Sequence, residues 1–84
     1  MSKSLAEIVR EKLNAGILPL EGPARTWAGF GTGDQCSVCG QPIQPSQTEY
    51  ELRYDNRAPL RFHVVCHSLW DSERRLASRY RRHA

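Results

Sequence analysis

The chain of 84 residues has only three cysteines, an odd number that closes no disulfide framework. It has no apolar run near the ~18 residues that a membrane span needs. No internal repeat and no low-complexity tract occurs. Leu, Ile, Val and Phe supply only 17 of the 84 residues, so the core is thin. At this length a core alone typically gives about 3–5 kcal/mol, and a staple is expected. The chain is too short for a TIM barrel or a two-domain enzyme with a dinucleotide fold. The stretch Met1 to Leu13 is interrupted by Lys3, Glu7, Arg10, Glu11 and Lys12. It therefore lacks the ~7–15 apolar residues of a secretory h-region. A cytoplasmic protein with reduced thiols is expected, and no membrane partner.

Three regions can be read: 1–18, 19–35 and 36–84. In the first, Ser4 and Glu7 are spaced as a capping box. Leu5, Ile8, Val9, Lys12 and Leu13 then form one helical stripe. Gly16 and Pro19 end the helix. The stripe either docks on its own domain or pairs with another chain. Region 19–35 carries Pro19, Gly22, Pro23, Gly29, Gly31 and Gly33 and reads as a Gly/Pro-rich loop. Trp27 and Phe30 argue that it is partly ordered, with Trp27 packed. Gly29-x-Gly31-x-Gly33 is no phosphate loop, because no Lys-Ser/Thr follows it. Residues 48–64 alternate apolar and charged side chains on either side of Asp55-Asn56-Arg57, a hairpin. Residues 65–82 have helical spacing, with Asp71 and Arg75 as an i,i+4 ion pair. Trp70 and Tyr80 are expected in the core, Trp70 as a shield over the cysteines.

The chemistry lies in Cys36-x2-Cys39-x23-His63-x2-Cys66. Four-coordinate zinc takes thiolate and imidazole ligands at tetrahedral corners. Cys36 and Cys39 can turn toward one ion across a tight turn, with Gly40 suited to a positive φ. His63 ends the return strand. Cys66 opens the helix, where the macrodipole favours a thiolate. One Zn²⁺ on Cys36, Cys39, His63 and Cys66 is the preferred reading. Other readings are a redox dithiol, an iron–sulfur centre, and a Cys2His2 set in which His67 replaces Cys66. Three thiolates and Zn²⁺ make a centre of charge −1, lowering the formal +3 of the chain to about +2.

A Cys-x2-Cys-Gly knuckle, a hairpin and a helix bearing the second ligand pair resemble a treble-clef zinc finger. The ligand spacing is similar to the first zinc module of a LIM domain, without the second ligand set of that family. Thr26 to Gly33, leading into the knuckle, resembles small bacterial proteins of no established activity. The resemblance implies an α+β, zinc-stabilised, treble-clef-like domain with an added N-terminal helix.

Charge is uneven. Residues 63–84 hold Arg74, Arg75, Arg79, Arg81 and Arg82 against Asp71 and Glu73, and the remainder is neutral. Arg75, Arg79 and Arg82 share a helix face, beside Arg74, and arginine forks suit phosphate. A solvated helix end explains the same charges. No catalytic residue is assigned: His63 and Cys66 are better ligands than nucleophiles, and Glu49 and Glu51 sit opposite cations. A non-enzymatic interaction or regulatory role with a protein partner is expected, with nucleic acid as the alternative and no small-molecule substrate.

Overall fold

The computed structural model describes residues 3–82, without the side chains of 80–82. The elements run α1 (Leu5–Asn14), β1 (Arg25–Phe30), β2 (Thr48–Arg53), β3 (Leu60–His63) and α2 (Val64–Arg82). It is a small α+β fold: two helices and one antiparallel sheet of order β1-β2-β3.

Helix α1 begins as its sequence dictates. Ser4 Oγ accepts from the Glu7 N–H at 3.2 Å, and Glu7 reaches back to the Ser4 N–H at 3.5 Å. Its end is a Schellman motif: Ile17 N–H donates to Lys12 O at 2.9 Å, and Gly16 N–H to Leu13 O at 3.2 Å. Val9 and Leu13 are buried against the rest of the domain, so the stripe docks internally. Outside this seam Arg10 pairs with Glu73 of α2 at 2.9 Å.

The hairpin forms as its alternation requires. Tyr50 opposes Phe62 and Leu52 opposes Leu60 on the face that α2 covers. Phe62 and Trp70 pack with ring centroids 5.3 Å apart. Trp70 is only 1% exposed, and its indole N–H donates to Pro19 O at 3.0 Å. Thus Trp70 is a core residue that ties α2 to the chain leaving α1. The other sheet face is charged: Arg61 opposes Glu51 in register, and its guanidinium lies 3.2 Å from that carboxylate. Arg61 also reaches Asp34 at 3.3 Å and Glu49 at 3.5 Å. Glu49 is buried but paired, with further donation from Thr32 Oγ1 at 2.9 Å.

Region 19–35 differs from the loop expected. Arg25–Phe30 forms strand β1, paired with β2 from Arg25–Arg53 to Phe30–Thr48. Trp27 is not packed as expected but 55% exposed, since α2 overlies β2 and β3 without reaching β1. The strand escapes sequence reading because both its faces are solvated, so no alternation marks it. The glycine directly after it has a packing reason. A Cβ on Gly31 would collide with the backbone carbonyl oxygens of Ile43 and Gln44, whereas a Cβ on Gly29 meets nothing within 4 Å.

Two stability outcomes follow from this packing, both read by urea denaturation. Trp70→Ala, which empties a buried site and orphans the Pro19 carbonyl, should cost about 3–5 kcal/mol. A loss under about 1 kcal/mol would place the ring outside the core. Gly31→Ala should cost about 1–3 kcal/mol or more by overpacking. Gly29→Ala should stay within about 0.5 kcal/mol of the parent, as open surface sites do. Equal effects at the two glycines would contradict the close approach.

Candidate metal centre

Four donor side chains from two separate stretches converge. Cys36 and Cys39 stand on the turn between β1 and β2, and Gly40 leaves that turn at φ +77°. The turn is closed by Gly40 N–H donating to Cys36 O at 2.9 Å. His63 is the last residue of β3, and Cys66 lies in the first turn of α2. The knuckle is stitched to β3 directly. Ser37 N–H donates to Arg61 O at 2.7 Å, and Ser37 Oγ accepts from the Arg61 N–H at 3.2 Å. Register on β3 therefore decides where His63 points.

The ligand atoms of Cys36, Cys39, His63 and Cys66 all lie within 4.8 Å of one another. Donors around a tetrahedral ion with bonds of about 2.0–2.3 Å sit about 3.5–3.8 Å apart. Cys39 Sγ is 3.4 Å and Cys66 Sγ 4.0 Å from His63 Nδ1. The four residues are thus close enough to hold one metal ion. The imidazole is oriented for this. His63 Nε2 lies 3.2 Å from Pro42 O, so with the proton on Nε2 it donates there and Nδ1 keeps its lone pair for a metal.

The electrostatics of the cluster favour a cation. Burial pushes the Cys36 thiol up, but hydrogen bonds from the Cys39, His63 and Val38 backbone and the His63 side chain outweigh it, lowering the pKa to about 7. Burial pushes the Cys66 thiol up, and the nearby Cys36 and Cys39 sulfurs push it further. Crowded thiols without a cation cannot all ionise. A divalent ion removes that conflict.

His67 is not brought to the cluster. Its ring lies 4.6 Å from Tyr50 and 5.7 Å from Trp70, on the sheet side of α2. Burial among these rings holds its pKa below the usual histidine value. Cys66 and not His67 is therefore the fourth donor that the fold presents.

Two supports were not legible in the motif. One is the Pro42 carbonyl. The other is Lys12 of α1, whose Nζ donates to Ser37 O at 3.0 Å and Val38 O at 2.8 Å, inside the knuckle. A lysine placed on the apolar stripe of α1 was the signal available for it. The ammonium clamps the two backbone carbonyls between Cys36 and Cys39.

The arginines of α2 are spoken for in part. Arg74 lies 2.7 Å from Asp71 and stacks on Trp70 at 4.9 Å, and Arg75 lies 3.2 Å from the same carboxylate. Burial would raise the Asp71 pKa, but the two guanidinium groups hold it below the usual value. Arg79 is exposed. The side chains of Tyr80, Arg81 and Arg82 lie outside the described residues. Among the described residues no helix is long and apolar enough to cross a membrane.

No family model, no curated protein and no solved structure matches this chain. The likeness to a LIM module therefore rests on the ligand spacing alone, and that to small bacterial proteins on the stretch Thr26 to Gly33 alone.

The geometry separates the two candidate fourth ligands. Cys66→Ser should lower metal content and affinity sharply, while His67→Ala should keep one ion per chain and lose only packing stability. Metal analysis of the purified variants checks this. Retention by the Cys66 variant with loss by the His67 variant would reverse the assignment.

Proposed function

We propose that this chain is a small zinc-binding protein whose single Zn²⁺ is structural, held by Cys36, Cys39, His63 and Cys66. The convergence of those four donor atoms carries the reading. A three-sulfur, one-nitrogen set whose donor atoms lie within 4.8 Å of one another suits zinc, which accepts both donor types. The order knuckle, hairpin, helix is treble-clef-like, with α1 as an addition that Lys12 fastens to the knuckle. Four protein donors fill a tetrahedral shell, so no position is left for a reacting water, and the role is non-catalytic. The bound ion would supply cohesion: apparent binding of about 10–16 kcal/mol in finger peptides exceeds what a thin core provides. A cytoplasmic interaction or regulatory module, with a protein as partner, follows from this reading. It is favoured over nucleic-acid binding because Arg74 and Arg75 both pair with Asp71, which leaves Arg79, among the described residues, as the cation of that face without an acidic partner.

Metal analysis of protein purified without added metal should give one zinc per chain. A strong chelator should then remove the far-UV helical signal, and Zn²⁺ should restore it. Iron in place of zinc, or a fold unchanged by metal removal, would overturn the structural-zinc reading.

A further inference from the structure

Among the described residues strand β1 has neighbours on one side only, and all six of its residues are exposed. Gly31 N–H donates to Gln47 O just beyond the strand. Antiparallel bonds alternate, so Thr26, Ala28 and Phe30 turn their N–H and C=O groups away from β2. Exposed edges are normally blunted by proline, lysine, a bulge or an overlying element. Arg25–Phe30 contains no proline and no lysine, its register on β2 runs without a bulge, and α2 does not cover it. Instead it displays Trp27 and Phe30, 55% and 86% exposed, which alternation puts on opposite faces.

We propose that β1 pairs antiparallel with β1 of a second copy of this chain, about a two-fold axis at Ala28, making one six-stranded sheet. The inference rests on the interaction reading and names its partner. The outward backbone groups select the register. Ala28 meets its own counterpart, and Thr26 meets Phe30 of the other copy. Trp27 then faces Gly29 of the other copy. The space above that glycine is open, and cross-strand aromatics cover such glycines well. The two indoles become diagonal neighbours, within reach of each other.

The charges agree with this pairing. Arg25, the only charged residue of the strand, faces Gly31 rather than a like charge. The antiparallel arrangement carries it toward the Asp34 end of the other copy, where that carboxylate is 59% exposed. The area is modest. Trp and Phe side chains carry about 150–250 Å² each, so covering both on both copies removes roughly 500–600 Å². The paired backbones and small side chains bring the total toward about 1,000 Å², the floor for a specific interface. That is the size of a weak, reversible dimer.

Sedimentation equilibrium of the metal-loaded full chain, from about 5 to about 500 µM, tests the pairing across the range of weak association. A monomer–dimer equilibrium is expected, with Trp27 emission shifting to the blue as dimer forms. Ala28→Pro removes one outward N–H and leaves the ladder to β2 intact. It should weaken dimerisation at least tenfold. Gly29→Ile fills the place of the other indole and should do the same, so the test survives if one variant folds poorly. Circular dichroism and metal content report folding in each. A monomer at every concentration would overturn the proposal and leave the edge to a strand of a different protein. Variants that dimerise like the parent would overturn it too. A monomer that retains zinc leaves the metal reading intact, and a dimer without metal sinks that reading alone.

Discussion

Two pieces of chain far apart in sequence bring two donors each to one point, and much of the fold fixes those two pieces against each other. The knuckle is a tight turn with little to bury, and by itself it has no fixed position. It is held on three sides. Ser37 bonds to the backbone of β3, Lys12 reaches in from α1, and the side chains of Cys36 and Val38 enter the core. On the other stretch, a strand passes directly into a helix at His63–Val64. That junction turns His63 and Cys66 toward one centre, because the final strand residue and the first helical turn share an inner corner. A slip of one residue in the β2–β3 register would send His63 to the opposite face. The paired charges of Arg61 with Glu49 and Glu51, together with the apolar pairs of the other face, fix that register.

The centre also explains why α1 is more than a cover for the core. A helix that only buried Val9 and Leu13 could slide or roll on α2. Lys12 ends this freedom by donating to two carbonyls of the knuckle. Its own carbonyl accepts from Ile17 and Leu18, so the helix end, the clamp and the chain reversal meet in one residue. Three thiolates, one imidazole and a divalent ion would leave a single negative charge there.

Much of this was legible in the sequence, for reasons that differ by element. Ser4 and Glu7 mark the start of α1 because a capping box satisfies local groups and needs no tertiary context. The hairpin shows as alternation because one of its faces is buried. The four ligands show as spacing because coordination geometry is local to each pair. The choice between Cys66 and His67 could not be read from spacing. It depends on which side of α2 faces the sheet, and the rings of Tyr50, Phe62 and Trp70 settle that by enclosing His67. Lys12 and Pro42 act through backbone carbonyls, and no side-chain motif records such partners.

Strand β1 is the instructive exception. It adds no residue to the core, yet it is a regular strand of six residues. What orders it is the backbone ladder to β2 and the way its two ends are pinned. Before it, Tyr54 Oη donates to Glu21 O at 3.0 Å and Ala24 N–H to Arg53 O at 2.9 Å. After it, Gly31 passes against the carbonyls of Ile43 and Gln44, and Gly33 N–H donates to Ile43 O at 2.9 Å. Net contributions of about 0.5–1.5 kcal/mol per hydrogen bond are enough to order a short segment held at both ends. They supply no reason for its side chains to be large and apolar. Phe30 is almost fully exposed in the isolated fold and Trp27 about half, and the free energy available from covering what is still exposed remains for association.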